Sequence, residues 1–160
     1  MSMTASDDAP EARKARGAFF TPPAIAAFIA NWAILSSSDT VLEPSMGDAE
    51  FLTHAVERLA DLGNGEPIVW GSELHAYSAE AGIERVTEAG GKAVVEVGDF
   101  FDRPVDQRFT VVIGNPPYIR FQDFSGRERA KAQSAALRGG VALSGLASAW
   151  AAFTVASSLH

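Results

Sequence analysis

Asn115, Pro116, Pro117 and Tyr118 follow directly on the apolar run Phe109 to Gly114. Rich in Val, Ile and Phe and stopped by Gly-Asn-Pro-Pro, that run reads as a buried strand ending abruptly in a rigid loop. Each proline fixes its own φ, gives up an N–H and pushes the preceding residue away from helix. The loop therefore offers two acceptors held with little freedom, the Asn115 side-chain oxygen and a backbone carbonyl, beside the aromatic face of Tyr118. This suits the activation of an amino group as a nucleophile. An NH2 attached to a π-system is a poor nucleophile because its lone pair is delocalised. Two acceptors, each taking one N–H, favour the pyramidal nitrogen of a transition state over the flat ground state. Tyr118 can stack on a planar base swung out of a helix. The competing reading is a stiff turn with Tyr118 covering apolar surface.

Three carboxylates also stand at expected strand ends. Thr40 to Glu43 is a short buried-strand candidate, followed by the small-residue loop Pro44 to Ala49 and the apolar helical face of Glu50 to Leu62. Strand, tight turn and helix in that order present backbone N–H groups to a ligand. Thirty residues beyond Glu43, Glu73 ends a second strand begun by Pro67 to Gly71. An acid there can accept both hydroxyls of a ribose, or simply favour a helix N-terminus. Asp99 and Phe100 follow a third strand, Ala93 to Val97. There Asp99 can accept from an adenine amino group while Phe100 packs on the ring.

The positioning elements alternate in a βα pattern. Ahead of the first strand, Thr21-Pro22-Pro23 opens a helix with Ile25, Phe28, Ile29 and Trp32 as an apolar stripe. Helix Ala76 to Ala89 separates the second and third strands, and an apolar helix over roughly residues 146–159 closes the chain. Right-handed crossovers place the first strand centrally, beside the fourth, so Glu43, Glu73, Asp99 and Asn115 line one crevice at the carboxyl edge of a parallel sheet.

Composition bounds the function classes. The 160 residues are 47% hydrophobic and 21% charged, enough for one domain with a real core. Cysteine is absent, which excludes disulfides, thiolate metal sites and a Cys nucleophile. The three histidines stand at unrelated spacings, so no metal site is expected. Neither a signal peptide nor an 18-residue apolar run is present, making a cytoplasmic protein with no membrane partner the expectation. Net charge is −7, but residues 119–140 carry +3 and the remainder −10. That basic stretch can approach phosphates or form a solvated helix face.

Taken together, these stretches resemble the N6-adenine DNA methyltransferases of bacterial restriction-modification systems. The likeness runs through GAFFTPPAIAAFI, VLEPSMGDAEFL, GSEL, GDFF and NPPYIRFQ. It implies a Rossmann-like α/β fold that uses S-adenosylmethionine and needs no metal, with residues 17–160 as the catalytic domain behind a polar tail, 1–16. Thr21, Glu43, Ser45, Gly47, Glu73, Leu74, Asp99, Phe100 and Pro117 are then the cofactor contacts. Asn115 and the Pro116 carbonyl bind the target amino group, and Tyr118 stacks on a flipped adenine of DNA. Two departures stand out. Gly47-Asp48-Ala49 replaces the usual Gly-x-Gly, adding a methyl where ligand and backbone come close. The chain is also shorter than the group's complete members, which have about three more strands and a target-recognition region. An incomplete, four-stranded sheet with an edge open to self-association is expected. Methylation of RNA or of protein glutamine, and cofactor binding without transfer, are the alternative functions.

Overall fold

The computed structural model describes residues 21–117, 126–144 and 147–160. Within them, β1 (Val41–Glu43), β2 (Ile68–Glu73), β3 (Lys92–Val97) and β4 (Val111–Val112) form one parallel sheet in the order β3-β2-β1-β4. The first strand is thus central and adjacent to the fourth, as right-handed crossovers require. Val41 stands opposite both Val69 and Val111, and Glu43 opposite Gly71, so β2 runs two residues past Glu43 before ending at Glu73. The regular part of β4 is shorter than the apolar run 109–114. Pairing nevertheless continues, because the Ile113 N–H donates to the Leu42 carbonyl at 3.0 Å.

Side-chain alternation along the strands builds two cores. Val41, Val69 and Val111 face one side, where they meet α1 (Pro23–Ala33), α2 (Glu50–Asp61) and the Val86 turn of α3 (Ala76–Glu88). Leu42, Trp70 and Val112 face the other, against the single-turn helix Phe100–Asp102, α4 (Gly126–Arg138) and α5 (Ala149–Ser157). Helices on both faces of a parallel sheet make this a Rossmann-like α/β fold.

The stripe expected on α1 is not the face it buries. Ala26 and Ala30 are fully buried with Ile29 partly so, whereas Ile25, Phe28 and Trp32 are 50%, 70% and 73% exposed. This helix is apolar nearly all round, so periodicity does not select a face. Its small alanines allow the closer approach to α2. Nor does Thr21 cap it: Pro22 takes the N-cap position with no side-chain hydrogen bond, and Pro23 starts the first turn.

Candidate active site

The loop between β1 and α2 is tied to the end of β2. Met46 donates its N–H to the Ser72 carbonyl at 3.0 Å, and Gly47 donates to Glu73 Oε2 at 2.9 Å. Glu73 Oε1 accepts the His75 N–H, also at 2.9 Å. The buried Glu73 carboxylate therefore sets the loop and the start of α3 at once, and each of its oxygens keeps one lone pair. Gly47 reaches this donor position with a left-handed φ of 52°, which glycine adopts without strain. From below, the Met46 side chain runs past Gly71 and Gly82, where an added Cβ would strike it. Arg85 on α3 clamps the far side, donating to the Asp48 carbonyl at 2.9 Å and to Glu50 Oε2 at 2.7 Å.

Ala49, the departure from Gly-x-Gly, is also left-handed, with φ 62°. Its methyl is fully buried and lies toward Gly82, where a Cβ would stand 3.1 Å away. The extra methyl thus fills core space beneath the loop. The left-handed cost for a non-glycine residue, roughly 1–2 kcal/mol, is partly offset by burial of about 0.8 kcal/mol.

Glu43 ends β1 almost fully buried, and its Oε2 has no hydrogen-bond partner among the described residues. Burial is the main force raising its carboxyl well above the ordinary value of 4.5; the Leu52 N–H opposes this, while Asp48, Glu73 and Glu50 add to it. The folded protein therefore holds this proton to higher pH than the unfolded chain does. Stability is greatest below about pH 4.5 as far as this group is concerned, falls as pH rises toward the folded value, and levels off above it. Glu43→Gln is expected to remove that slope and raise the urea midpoint at pH 8. An unchanged midpoint and slope between pH 5 and 8.5 would mean the carboxyl is not held protonated.

Asn115 follows β4 at the same sheet edge. Its Nδ2 donates to Thr21 Oγ1 at 3.3 Å across 94 residues of sequence, which leaves Oδ1 as the acceptor. Of the residues expected in one crevice, three stand at strand carboxyl ends: Glu43 as the last residue of β1, Glu73 as the last of β2, and Asn115 just past β4. Ser45, Pro116 and Pro117 are half-buried, and Leu74 is 61% exposed beside Glu73. Tyr118 lies outside the described residues.

The third strand ends differently from expectation in detail. Asp99 Oδ1 accepts the Phe101 N–H at 3.0 Å, and Oδ2 accepts from Lys131 Nζ at 2.9 Å. Phe100 is 4% exposed and stacks on Phe153, with ring centroids 5.6 Å apart and 13° between planes. Its ring is engaged with α5, so this turn offers a ligand the Asp99 carboxylate and backbone more than an aromatic face. Arg103, not singled out from sequence, donates to Ser72 Oγ at 3.0 Å and pairs with Glu96 at 3.1 Å, joining the ends of β2 and β3. Arg85 was equally invisible in sequence, since its partners lie 35 and 37 residues away.

These side chains could hold a cofactor. Glu73 retains two lone pairs, Asp99 retains acceptor capacity, and Glu43 has a buried oxygen with no hydrogen-bond partner among the described residues.

Comparison with known proteins gives four findings. The family described as N-6 DNA Methylase matches residues 3–141. The type II methyltransferase M.XhoI of Xanthomonas vasicola is 29% identical, over 66% of this chain and 25% of its own. M.PaeR7I of Pseudomonas aeruginosa, also a type II methyltransferase, is 29% identical over 67% and 24%. The chain thus spans about a quarter of the length of these curated relatives. Among solved structures, a modification subunit from Vibrio vulnificus YJ016 aligns with a TM-score of 0.48 and 19% identity, over 59% of this chain and 22% of that one.

Proposed function

Because this chain belongs to the N-6 DNA methylase family, we propose that it carries the cofactor-binding and catalytic part of an enzyme that methylates the N6 amino group of adenine in DNA, within a restriction-modification system. The observation that carries this reading is the orientation of Asn115. With its amide N–H given to Thr21, Oδ1 is left to accept from a substrate amino group at the sheet edge that also holds Glu43 and Glu73.

S-adenosylmethionine, when bound, supplies an electrophilic methyl carbon. Glu73 holds the ribose side of the site while keeping the 44–49 loop in place through Gly47. Asn115 Oδ1 and the Pro116 carbonyl each accept one N–H of the target amine, and this pair of acceptors draws the nitrogen toward a pyramidal geometry. No strongly basic side chain is required, because the amine loses its proton to water after it has become cationic. Tyr118 is assigned to stacking on the flipped base, by its type and position in sequence.

Incubation with tritiated S-adenosylmethionine and unmethylated DNA, followed by digestion to nucleosides, tests the proposal. Label is expected in N6-methyladenosine of the deoxy series. Bound cofactor with label only in RNA or protein would reassign the substrate, and bound cofactor with no transfer at all would leave a cofactor-binding role. No helix among the described residues is long and apolar enough to cross a membrane.

A further inference from the structure

The turn after β3 is held from behind by the α4–α5 pair, the part of the chain that follows the Asn-Pro-Pro-Tyr loop. Three contacts do this. Lys131 on α4 bridges Asp99 Oδ2 at 2.9 Å and Asp102 Oδ2 at 2.6 Å. Arg138, at the end of the same helix, donates to the Phe101 carbonyl at 3.0 Å. Phe153 on α5 packs against both Phe100 and Phe101, at centroid distances of 5.6 and 4.6 Å. Two of the five basic residues in the stretch 119–140 are therefore spent on this turn.

We infer that Lys131 is a positioning residue for recognition of the cofactor's adenine, acting through the Asp99 carboxylate. This rests on the proposed assignment of Asp99 to the adenine amino group. The Phe101 N–H fixes Oδ1 and the Lys131 ammonium fixes Oδ2, so two donors from opposite sides set the plane of the carboxylate. Each oxygen then keeps acceptor capacity in a fixed plane, which suits a donor such as a 6-amino group and opposes a 6-oxo group. Lys131 also offsets the mutual repulsion of Asp99 and Asp102, which share its ammonium. Without it, Asp99 keeps a single anchor and regains rotamer freedom that a ligand must remove on binding.

The alternative is that the Lys131 bridge merely holds α4 to the sheet, as a partly exposed ion pair of small worth. Titration calorimetry with S-adenosylhomocysteine and with its 6-oxopurine counterpart, S-inosylhomocysteine, separates the two. Wild type is expected to prefer the amino compound. Lys131→Met should weaken S-adenosylhomocysteine binding roughly three- to fivefold and narrow the preference, and Lys131→Arg should restore both. An equal loss for the two ligands, or no loss, in a Lys131→Met protein with wild-type circular dichroism and urea midpoint would overturn the positioning role. Asp99→Asn distinguishes the underlying assignment. If it leaves the preference untouched, or if wild type binds neither ligand, the adenine reading of this turn falls and the role of Lys131 falls with it.

Discussion

Asn115→Ala is expected to lower the rate of methyl transfer by roughly 10²- to 10³-fold or more, the range found when one preorganised transition-state acceptor or donor is removed. Affinity for S-adenosylhomocysteine should stay within about twofold, because the carboxylates proposed to hold the cofactor lie on other strands. The asymmetry follows from geometry. The Asn115 amide spends its N–H on Thr21 Oγ1 and is only half-buried, so its loss leaves little hole in either core. Oδ1 is the atom whose removal matters, since it is the acceptor turned away from that anchor. Single-turnover transfer rates and calorimetric affinities, measured on the same preparations, check both halves. A variant that methylates at the wild-type rate would remove Asn115 from the mechanism. One that loses cofactor affinity in parallel would make it a binding residue instead.

Why the strand order was legible in sequence, and many of the contacts that brace the strand ends were not, has a physical basis. Strands β1 to β3 and helices α2 and α3 lie within a residue or two of where apolar runs and periodicity put them. Local pattern and global fold agree there, and the strand order follows from the handedness of crossovers. The ends of those strands carry acids, so the placing of Glu43, Glu73 and Asp99 at one carboxyl edge could be read from spacing and strand order. What stayed hidden depends on long-range partners. Arg85, Arg103 and Lys131 each find an acid, a carbonyl or a hydroxyl about thirty residues away, and no local signal marks which surface cation will do so. Two apolar readings also ran together. Phe100 follows an acid in the manner of a ring-stacking residue, yet Phe153, 53 positions later, takes its face. On α1 the large side chains outlined one stripe, while the alanines between them made the closer contact. The fate of the Ala49 methyl was decided by a glycine on another helix, Gly82, which leaves room for it.

Glu73 is the residue whose replacement should damage both binding and fold. Each of its oxygens accepts one backbone N–H, from Gly47 and from His75, and each keeps a lone pair for the proposed ribose hydroxyls. Hydrogen bonds to a charged group contribute about 1.5–3 kcal/mol each, so losing two to the ligand corresponds to roughly 10²- to 10⁴-fold in affinity. Glu73→Ala also strands two N–H groups at a largely buried position, at about 1–3 kcal/mol apiece where water cannot replace the carboxylate. A loosened loop alone is enough to lose binding in Glu73→Ala, which is why the isosteric Glu73→Gln is the sharper variant. Its amide oxygen can keep one of the two backbone N–H groups, but its NH2 opposes the other and presents donors where hydroxyl protons would arrive. A fall in S-adenosylhomocysteine affinity of at least about tenfold is expected for Glu73→Gln, with the urea midpoint lowered less than in Glu73→Ala. Unchanged affinity with a lowered midpoint would confine Glu73 to holding the loop and send the ribose elsewhere. Unchanged stability in Glu73→Ala would instead break the link between the β1–α2 loop and the end of β2, on which the geometry of the whole crevice depends.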